Sequence, residues 1–174
     1  MKVLDVIKDR FSPYEYTDKA ISKEDLNTLF EAAGKAASAF NEQPWRFIYA
    51  LRDDEDAFKA IHECLVEGNK GWTANLPVLM ITVVRENFEK NGNLNGTAEH
   101  DLGLAVGNLS VQAQAMGINL HQMGGIIPQN AIDKLNIPLG YKPLTAIALG
   151  YYEGVSGVKE RKLVSEIAFN GTWI

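Results

Sequence analysis

The stretch that decides the fold and the site runs from position 37 to 47 and reads ASAFNEQPWRF. It separates a segment with helical spacing of apolar residues from a segment typical of a β-strand. Pro44 lacks a backbone donor and disfavours helical geometry at Gln43, so we expect Gln43 to be extended. The sequence therefore predicts a fixed loop at this point.

The polar side chains of this loop are Ser38, Asn41 and Gln43. They offer hydrogen-bond donors and acceptors without charge, which suits an uncharged heterocycle with several ring heteroatoms. The alternative interpretation is structural. Ser38 and Asn41 would then cap the end of a helix, and Trp45 would be an ordinary core residue. The stretch alone leaves both interpretations open.

Residues 38–45, SAFNEQPW, resemble the PSxxNxQPW signature of the FMN-dependent nitroreductase family. Several further segments resemble the same family, and together they cover nearly the whole chain. The resemblance implies an α+β, nitroreductase-like fold in which helices flank a central mixed β-sheet and one long central helix is buried. It also implies a single domain over residues 1–174. Ala37 stands where the family has proline, which loosens the loop.

Composition limits the class of protein. The 174 residues favour one domain with a real core, and the net charge of −5 argues against a nucleic-acid surface. Cys64 is the single cysteine, which fits a reducing compartment. The first ten residues mix charges with apolar residues, unlike a signal peptide. No apolar run approaches the roughly 20 residues that span a bilayer. We expect a cytoplasmic protein without membrane or nucleic-acid partners.

One end of the expected cofactor site is cationic. Residues 10–16, RFSPYEY, resemble the family's RxSxRxF segment, which implies that Arg10 and Ser12 hold the flavin phosphate and ribityl chain. Tyr14 stands where the family has a second arginine and can donate a hydrogen bond but no charge. The resemblance also implies that Lys159 and Arg161 contact the phosphate. Without the resemblance, Arg10 would be interpreted as a solvent-exposed residue at a helix end. Lys159 and Arg161 would be interpreted as part of a solvent-exposed turn.

The other end of the expected cofactor site is uncharged. By the same resemblance, Asn69 contacts the ribityl chain or a ring oxygen, although Gly-Asn is by itself a turn signal. Gly124 and Gly125 resemble the segment whose backbone N–H groups approach the flavin N5. Glycine permits that close approach, and a donor there stabilises the charge that develops on reduction. The alternative for the glycine pair is an ordinary turn.

Two segments indicate a homodimer. Residues 100–117 predict a helix that is apolar nearly all round and therefore buried, and they resemble the helix that forms the family's dimer interface. The apolar stretch 164–174, with Trp173, corresponds to a segment that packs on the other subunit in the family. The polar segment 85–97, before the first of them, is predicted to be a loop too short for a lid, so we expect a pocket that is open or completed by a partner subunit.

Periodicity predicts the remaining elements. Strands are expected at 46–51, 78–84, 118–126 and 144–151, with turns at 67–72 and 138–141. Helices are expected near 3–11, after Ser22, and at 54–65 and 128–135.

The resemblance implies an FMN-dependent oxidoreductase that uses NAD(P)H to reduce nitroaromatic, quinone or related acceptors by a ping-pong mechanism. No Ser-His-Asp, Cys-His or paired-carboxylate pattern is evident, and the flavin carries the redox chemistry, so no catalytic side chain is assigned. His62, His100 and His121 lack metal-ligand spacing, so no metal is expected. The alternatives are another flavin chemistry of the family, a non-catalytic flavin-binding or sensing protein, and an adaptor without cofactor.

Overall fold

Strand β2, Val78–Arg85, lies in the middle of the protein. The structure is a computed structural model and describes residues 2–155, 157 and 159–173. Seven of the eight residues of β2 are buried, because alternate side chains enter two different cores. The first core takes Val78, Met80 and Val84, and the second takes Leu79, Ile81 and Val83. The strand predicted at 78–84 is confirmed, and both of its faces are covered.

Three further strands complete the sheet of the described residues: β1, Trp45–Leu51; β3, Asn119–Met123; and β4, Tyr141–Gly150. Their order is β1-β2-β4-β3, and every neighbouring pair is antiparallel. The α+β class is confirmed, but the prediction of a mixed sheet is wrong for these strands. Strands β2 and β3 run in the same direction, but β4 lies between them, so no parallel pair forms among the described strands.

Helices cover both faces of the sheet. Their bounds are α1, Asp5–Lys8; α2, Lys23–Gly34; α3, Glu55–His62; α4, Glu67–Thr73; α5, Ala98–Ala115; and α6, Pro128–Lys134. Short 3-10 turns form at Ala39–Asn41 and Val164–Glu166. Helices α2 and α5 pack on the first core, and α3 and α6 pack on the second.

The start of α2 forms as predicted. Ser22 is the N-cap, and its Oγ accepts a hydrogen bond of 3.0 Å from the Asp25 backbone N–H. The same hydroxyl donates to the Asp25 carboxylate at 2.8 Å. A cap of this kind stabilises a helix by about 1 kcal/mol.

One of the two predicted turns is wrong. Residues 67–73 form α4 despite two glycines, with buried Thr73 donating to the Asn69 carbonyl at 2.7 Å. The turn predicted at 138–141 is confirmed, because the Tyr141 N–H donates to the Pro138 carbonyl at 3.2 Å and Gly140 has φ 85°. Strand β4 begins at the last residue of this turn, Tyr141, before the start predicted at 144. Pro143 is tolerated there because the register with β2 shifts beside it, and β3 pairs with β4 only from Ala146 onward.

Within the single chain, helix α5 is buried along one face. Leu102, Val106 and Leu109 enter the first core. Gly103 and Leu104 face outward and are exposed. Small residues at these outward positions lower the polarity of that face, so the sequence pattern alone resembles that of a buried helix.

The two ends of the chain are apolar and exposed. Val3, Leu4 and Ile7 of the first segment are all more than half exposed. Trp173 packs against Phe169, with ring centroids 4.7 Å apart, yet is 85% exposed. Position 174, the last of the predicted apolar stretch, lies outside the described residues. Within the described part of the chain, none of the helices has the length and apolarity needed to cross a membrane.

Candidate functional site

A groove of about 410 Å³ runs along the outward face of α5. Its walls come from α5, from β3 and from the segment after α1, and its lining residues are Arg10, Ser12, Gly103, Val106, Gly107, Ser110, Val111, Leu120 and Gln122. Gly103 and Gly107 are four positions apart and share one helix face. No described atom lies within 4 Å of the place where a Cβ on either glycine would be. The groove is therefore open along the glycines.

Arg10 joins this groove to a cationic cavity. Its Nη1 donates a 3.2 Å hydrogen bond to Ser12 Oγ. Arg10 also lines a second cavity of about 410 Å³ with Lys8, Lys159 and Arg161. Three predicted residues, Arg10, Lys159 and Arg161, thus line one cavity although they come from distant segments. With Lys8 they outnumber the single carboxylate there, Asp9, so this end of the groove carries an excess of positive charge.

Asn69 and the glycine pair form a second group. Asn69 Nδ2 donates to the Gly125 carbonyl at 3.0 Å, and the Val66 backbone N–H donates to the same oxygen at 3.1 Å. A Cβ on Gly125 would lie 2.6 Å from Asn69 Nδ2, so this position requires glycine. By contrast, a Cβ on Gly124 would have no described atom within 4 Å. The backbone at Gly124 is therefore open to a ligand.

An aromatic cluster of Tyr14, Trp72 and His121 connects the two groups. The ring centroid of Tyr14 lies 4.6 Å from that of His121 and 5.0 Å from that of Trp72. His121 Nδ1 is 2.8 Å from the Pro13 carbonyl oxygen, so Nδ1 carries the proton and donates it. His121 thereby fixes the segment that carries Ser12 and Tyr14. Its role in the described contacts is structural, as expected for a single histidine on a strand.

The loop at positions 38–43 forms a third group. Ser38 Oγ accepts from the Gln43 backbone N–H at 3.0 Å, and Gln43 Nε2 donates to the Asn41 carbonyl at 3.2 Å. Phe40, Asn41 and Gln43 have φ values of 53°, 59° and 50°. The predicted extended conformation of Gln43 is wrong, because the bond to Ser38 holds it in the left-handed region. Helix α2 ends at Gly34 and Ser38 precedes a 3-10 turn, so Ser38 and Asn41 do not cap the end of a helix as the structural alternative expected. The other part of that alternative is confirmed, because Trp45 is a buried core residue.

Two carboxylates hold this loop in place. The Ala39 backbone N–H donates to Asp101 Oδ2 at 2.9 Å, and Asp101 is only 3% exposed. On the other side, Glu42 forms an ion pair with Arg85 and accepts from the Glu89 backbone N–H at 2.7 Å. Burial lowers the pKa of Arg85, but its bonds to the two glutamates raise that pKa on balance. Both anchors are distant in sequence and fix the loop rigidly.

The predicted residues therefore lie in three groups. Among the described residues, no hydrogen bond joins the 38–43 loop to the cationic group or to Asn69 and Gly125. Sequence reasoning missed Gln122 and Asp101. The alternation of β3 could have identified Gln122, because it shares a strand face with Leu120 two positions earlier. Asp101 carries no such signal, since its role depends on a contact across 62 positions.

These residues fit FMN. Cations at one end suit a phosphate, and uncharged donors, thin glycines and aromatic rings suit a ribityl chain and a flat heterocycle. Other chemistries lack support: the described residues contain no cluster of three His, Cys, Asp or Glu side chains that could hold a metal. Burial raises the pKa of Cys64 to about 11, so its thiol stays protonated and is a poor nucleophile.

Comparison with known proteins agrees with this geometry. The sequence profile described as the Nitroreductase family matches residues 7–71. A solved oxidoreductase containing FMN is 32% identical, with a TM-score of 0.92, over 100% of this chain and 94% of that chain. The NAD(P)H-dependent FMN reductase of Bacillus subtilis (strain 168) is 26% identical over 92% of this chain and 70% of its own length.

A nitroreductase family protein from Streptococcus pneumoniae TIGR4 shares the fold alone, at 21% identity and a TM-score of 0.83, over 97% of this chain and 100% of its own. The family signature, the order of the strands and the FMN-containing relative agree with one another. This chain belongs to the nitroreductase family.

Proposed function

We propose that this protein is an FMN-dependent oxidoreductase that takes electrons from NAD(P)H and passes them to a nitroaromatic, quinone or related acceptor in two separate half-reactions. One observation carries the proposal: Arg10 lines both the cationic cavity and the groove along α5. A single elongated ligand with a phosphate at one end and an uncharged ring at the other satisfies both regions.

The cationic cavity supports the phosphate end. Arg10, Lys159 and Arg161 come from two distant segments and line one cavity. Each charge-assisted hydrogen bond to a phosphate oxygen is worth about 1.5–3 kcal/mol. The charge that Tyr14 does not supply is therefore available from the C-terminal cations.

The relatives support the choice of cofactor and donor. The solved relative at 32% identity is an oxidoreductase containing FMN, and the Bacillus subtilis relative is an FMN reductase that uses NAD(P)H. Because the residues that line the groove have the matching donor set, we extend both properties to this chain.

The protein's part in the reaction is to bind and orient. FMN, when bound, supplies the two-electron chemistry. Arg10 and Ser12 anchor one end, while Ser38, Asn41 and Gln43 offer uncharged hydrogen bonds. Asn69 holds the Gly125 carbonyl and so keeps the glycine segment in a fixed position. The Gly124 amide would donate to a ring nitrogen of the flavin and would stabilise negative charge there, with no proton transfer from a side chain.

We also propose that the protein acts as a homodimer. The outward face of α5 carries exposed Leu104 beside Gly103 and Gly107, and the apolar side chains of α1 and of the C-terminal segment are exposed as well. A second copy would cover these surfaces and would bring its own 38–43 loop to the groove, completing the three groups. We take residues 1–174 as a single nitroreductase-like domain that works in the cytoplasm.

Separating the half-reactions tests the proposal. The protein is loaded with FMN, reduced anaerobically with NADH or NADPH, freed of nucleotide by gel filtration and mixed with menadione or nitrofurazone. We expect the acceptor to restore the oxidised flavin spectrum at a rate at least equal to turnover. Reoxidation that occurs only while NAD(P)H is bound would exclude the ping-pong order. Bound FMN that neither donor reduces would favour the flavin-binding or sensing alternative.

A further inference from the structure

Phe40 combines two features that are unusual for a large apolar residue, namely a solvent-exposed side chain and a left-handed backbone. It is 92% exposed, and its backbone is left-handed, with φ 53° and ψ 23°. The left-handed conformation costs a non-glycine residue roughly 1–2 kcal/mol. A fully exposed phenylalanine also forgoes about 1.5–3 kcal/mol of burial. Nothing in the core benefits from this arrangement, so strain and exposure together indicate a ligand contact.

The surrounding structure fixes Phe40 in that state. Asp101 holds the Ala39 amide before it, and the ion pair of Glu42 with Arg85 holds the loop after it. The side chains of Glu42 and Arg85 are only 11% and 13% exposed, so this pair is sheltered from water. The Phe40 ring is therefore held outward before any ligand binds.

A second ring stands behind it. Phe88 lies edge-to-face with Phe40, with ring centroids 5.8 Å apart. Its loop is closed by a hydrogen bond of 2.8 Å from the Phe88 N–H to the Asn93 carbonyl and by one of 2.7 Å from the Glu89 N–H to Glu42. One carboxylate, Glu42, thus anchors both loops, and the two rings keep a fixed mutual geometry.

We propose that Phe40, backed by Phe88, is the aromatic contact for the electron acceptor and favours planar ring acceptors. The inference rests on the proposed function, because Phe40 lies between Ser38 and Asn41 in the loop assigned to the cofactor. In the proposed homodimer the 38–43 loop of one copy reaches the groove of the other, so Phe40 would lie beside that groove. Its exposed neighbours Asn41, Gln43 and Glu89 are polar and do not extend an apolar interface around the ring, which leaves Phe40 available to a small acceptor.

Comparing two electron acceptors distinguishes the contribution of the Phe40 contact from that of the other steps of the reaction. Menadione is planar and bicyclic and can pair with an aromatic ring, whereas ferricyanide cannot. Aromatic pairing is worth about 0.5–1.5 kcal/mol beyond area burial, so we expect Phe40→Leu to raise the KM for menadione about threefold and Phe40→Ala about tenfold. Ferricyanide reduction and anaerobic reduction by NADH should stay within twofold of the wild type.

A binding measurement adds a readout that does not need turnover. The oxidised FMN-loaded protein is titrated calorimetrically with 2-naphthol, a planar ring that accepts no electrons. Phe40→Ala should weaken this binding by the same factor as the KM for menadione. Leu139→Ala is the matched control, because Leu139 is fully exposed but lies on the turn before β4, and it should change neither quantity.

The outcomes discriminate clearly. If the wild type reduces menadione and Phe40→Ala leaves its KM and the naphthol affinity unchanged, the inference is overturned while the proposed function stands. If Phe40→Ala instead converts the assembly to monomers in analytical ultracentrifugation, Phe40 is an interface residue and the inference is again overturned. If FMN in the wild type is not reduced by NADH or NADPH, the proposed function itself fails.

Discussion

The two faces of α5, a helix of 18 residues, differ in burial and in the residues that they pack against. The inner face packs Leu102, Ala105 and Leu109 against the sheet, each no more than 2% exposed. The outer face presents Gly103, Leu104 and Gly107 to the surface. The inner face accounts for the fold of one chain, whereas the outer face has no such role. We therefore assign it to the cofactor and to a second copy.

The largest expected effect is the difference in stability loss between a substitution on the inner face of α5 and one on its outer face. Leu109→Ala removes a fully buried side chain and should lower the free energy of unfolding by about 2–5 kcal/mol. Leu104→Ala, on the outer face, should change the stability of the single chain by less than about 0.5 kcal/mol. Urea denaturation at a protein concentration low enough for the monomer measures both. Equal losses would mean that the faces are not distinct.

The next effect tests the groove. Arg10→Ala should weaken FMN binding about 10- to 100-fold, because it removes charge-assisted hydrogen bonds worth about 1.5–3 kcal/mol. Riboflavin is the matched ligand, since it has the same ring without the phosphate. Fluorescence titration should show riboflavin affinity within about threefold of the wild type. A comparable loss for both ligands would place Arg10 at the ring and not at the phosphate.

A smaller effect tests the assembly. The space beside Gly107 is open in the single chain, so Gly107→Trp should leave folding intact. In a packed dimer interface the added ring should cost about 1–3 kcal/mol, which weakens association roughly 5- to 150-fold. Gly107→Ala is the control and should change association little. Sedimentation showing the same dimer for all three proteins would remove the outer face from the interface.

The smallest effect concerns the rim of the outer face. Lys142 Nζ lies 2.6 Å from Glu99 Oε1 at the start of α5, and this hydrogen bond and the carboxylate's charge raise the pKa of Lys142. A raised folded-state pKa stabilises the protein below the unfolded value of about 10.4 and the benefit disappears as pH rises through the folded value. Lys142→Met should therefore be slightly less stable at pH 8, and the difference should disappear as the pH rises through the raised pKa of Lys142. Urea denaturation at several pH values measures this difference.

Much of the fold could be predicted from the sequence because its signals are local. The run in β2 is apolar without interruption, and Ser22 precedes an acidic residue at the capping distance, so both elements follow from periodicity and caps. The regions that were wrong depend on distant contacts. Helix α4 forms around two glycines because Thr73 is buried, and Pro143 enters a strand only where β3 leaves one side unpaired.

The candidate site divides in the same way. Arg10, Ser12 and Asn69 came from a resemblance to family segments; Arg10 and Ser12 line one groove, and Asn69 lies with Gly125 in a separate group. Asp101 and Glu42 could not be found from sequence, because their importance lies in bonds to partners 62 and 43 positions away. Nor could the left-handed backbone at Phe40 be predicted, since phenylalanine disfavours that conformation and the two distant anchors help to maintain it.

The visible absorption spectrum of the purified protein, recorded before and after anaerobic NADH and NADPH, tests the central claim most directly. We predict a flavin spectrum that is bleached by at least one of the two donors, which would also identify the preferred donor. A protein that is colourless and cannot be reconstituted with FMN would contradict the assignment of the α5 groove to the cofactor.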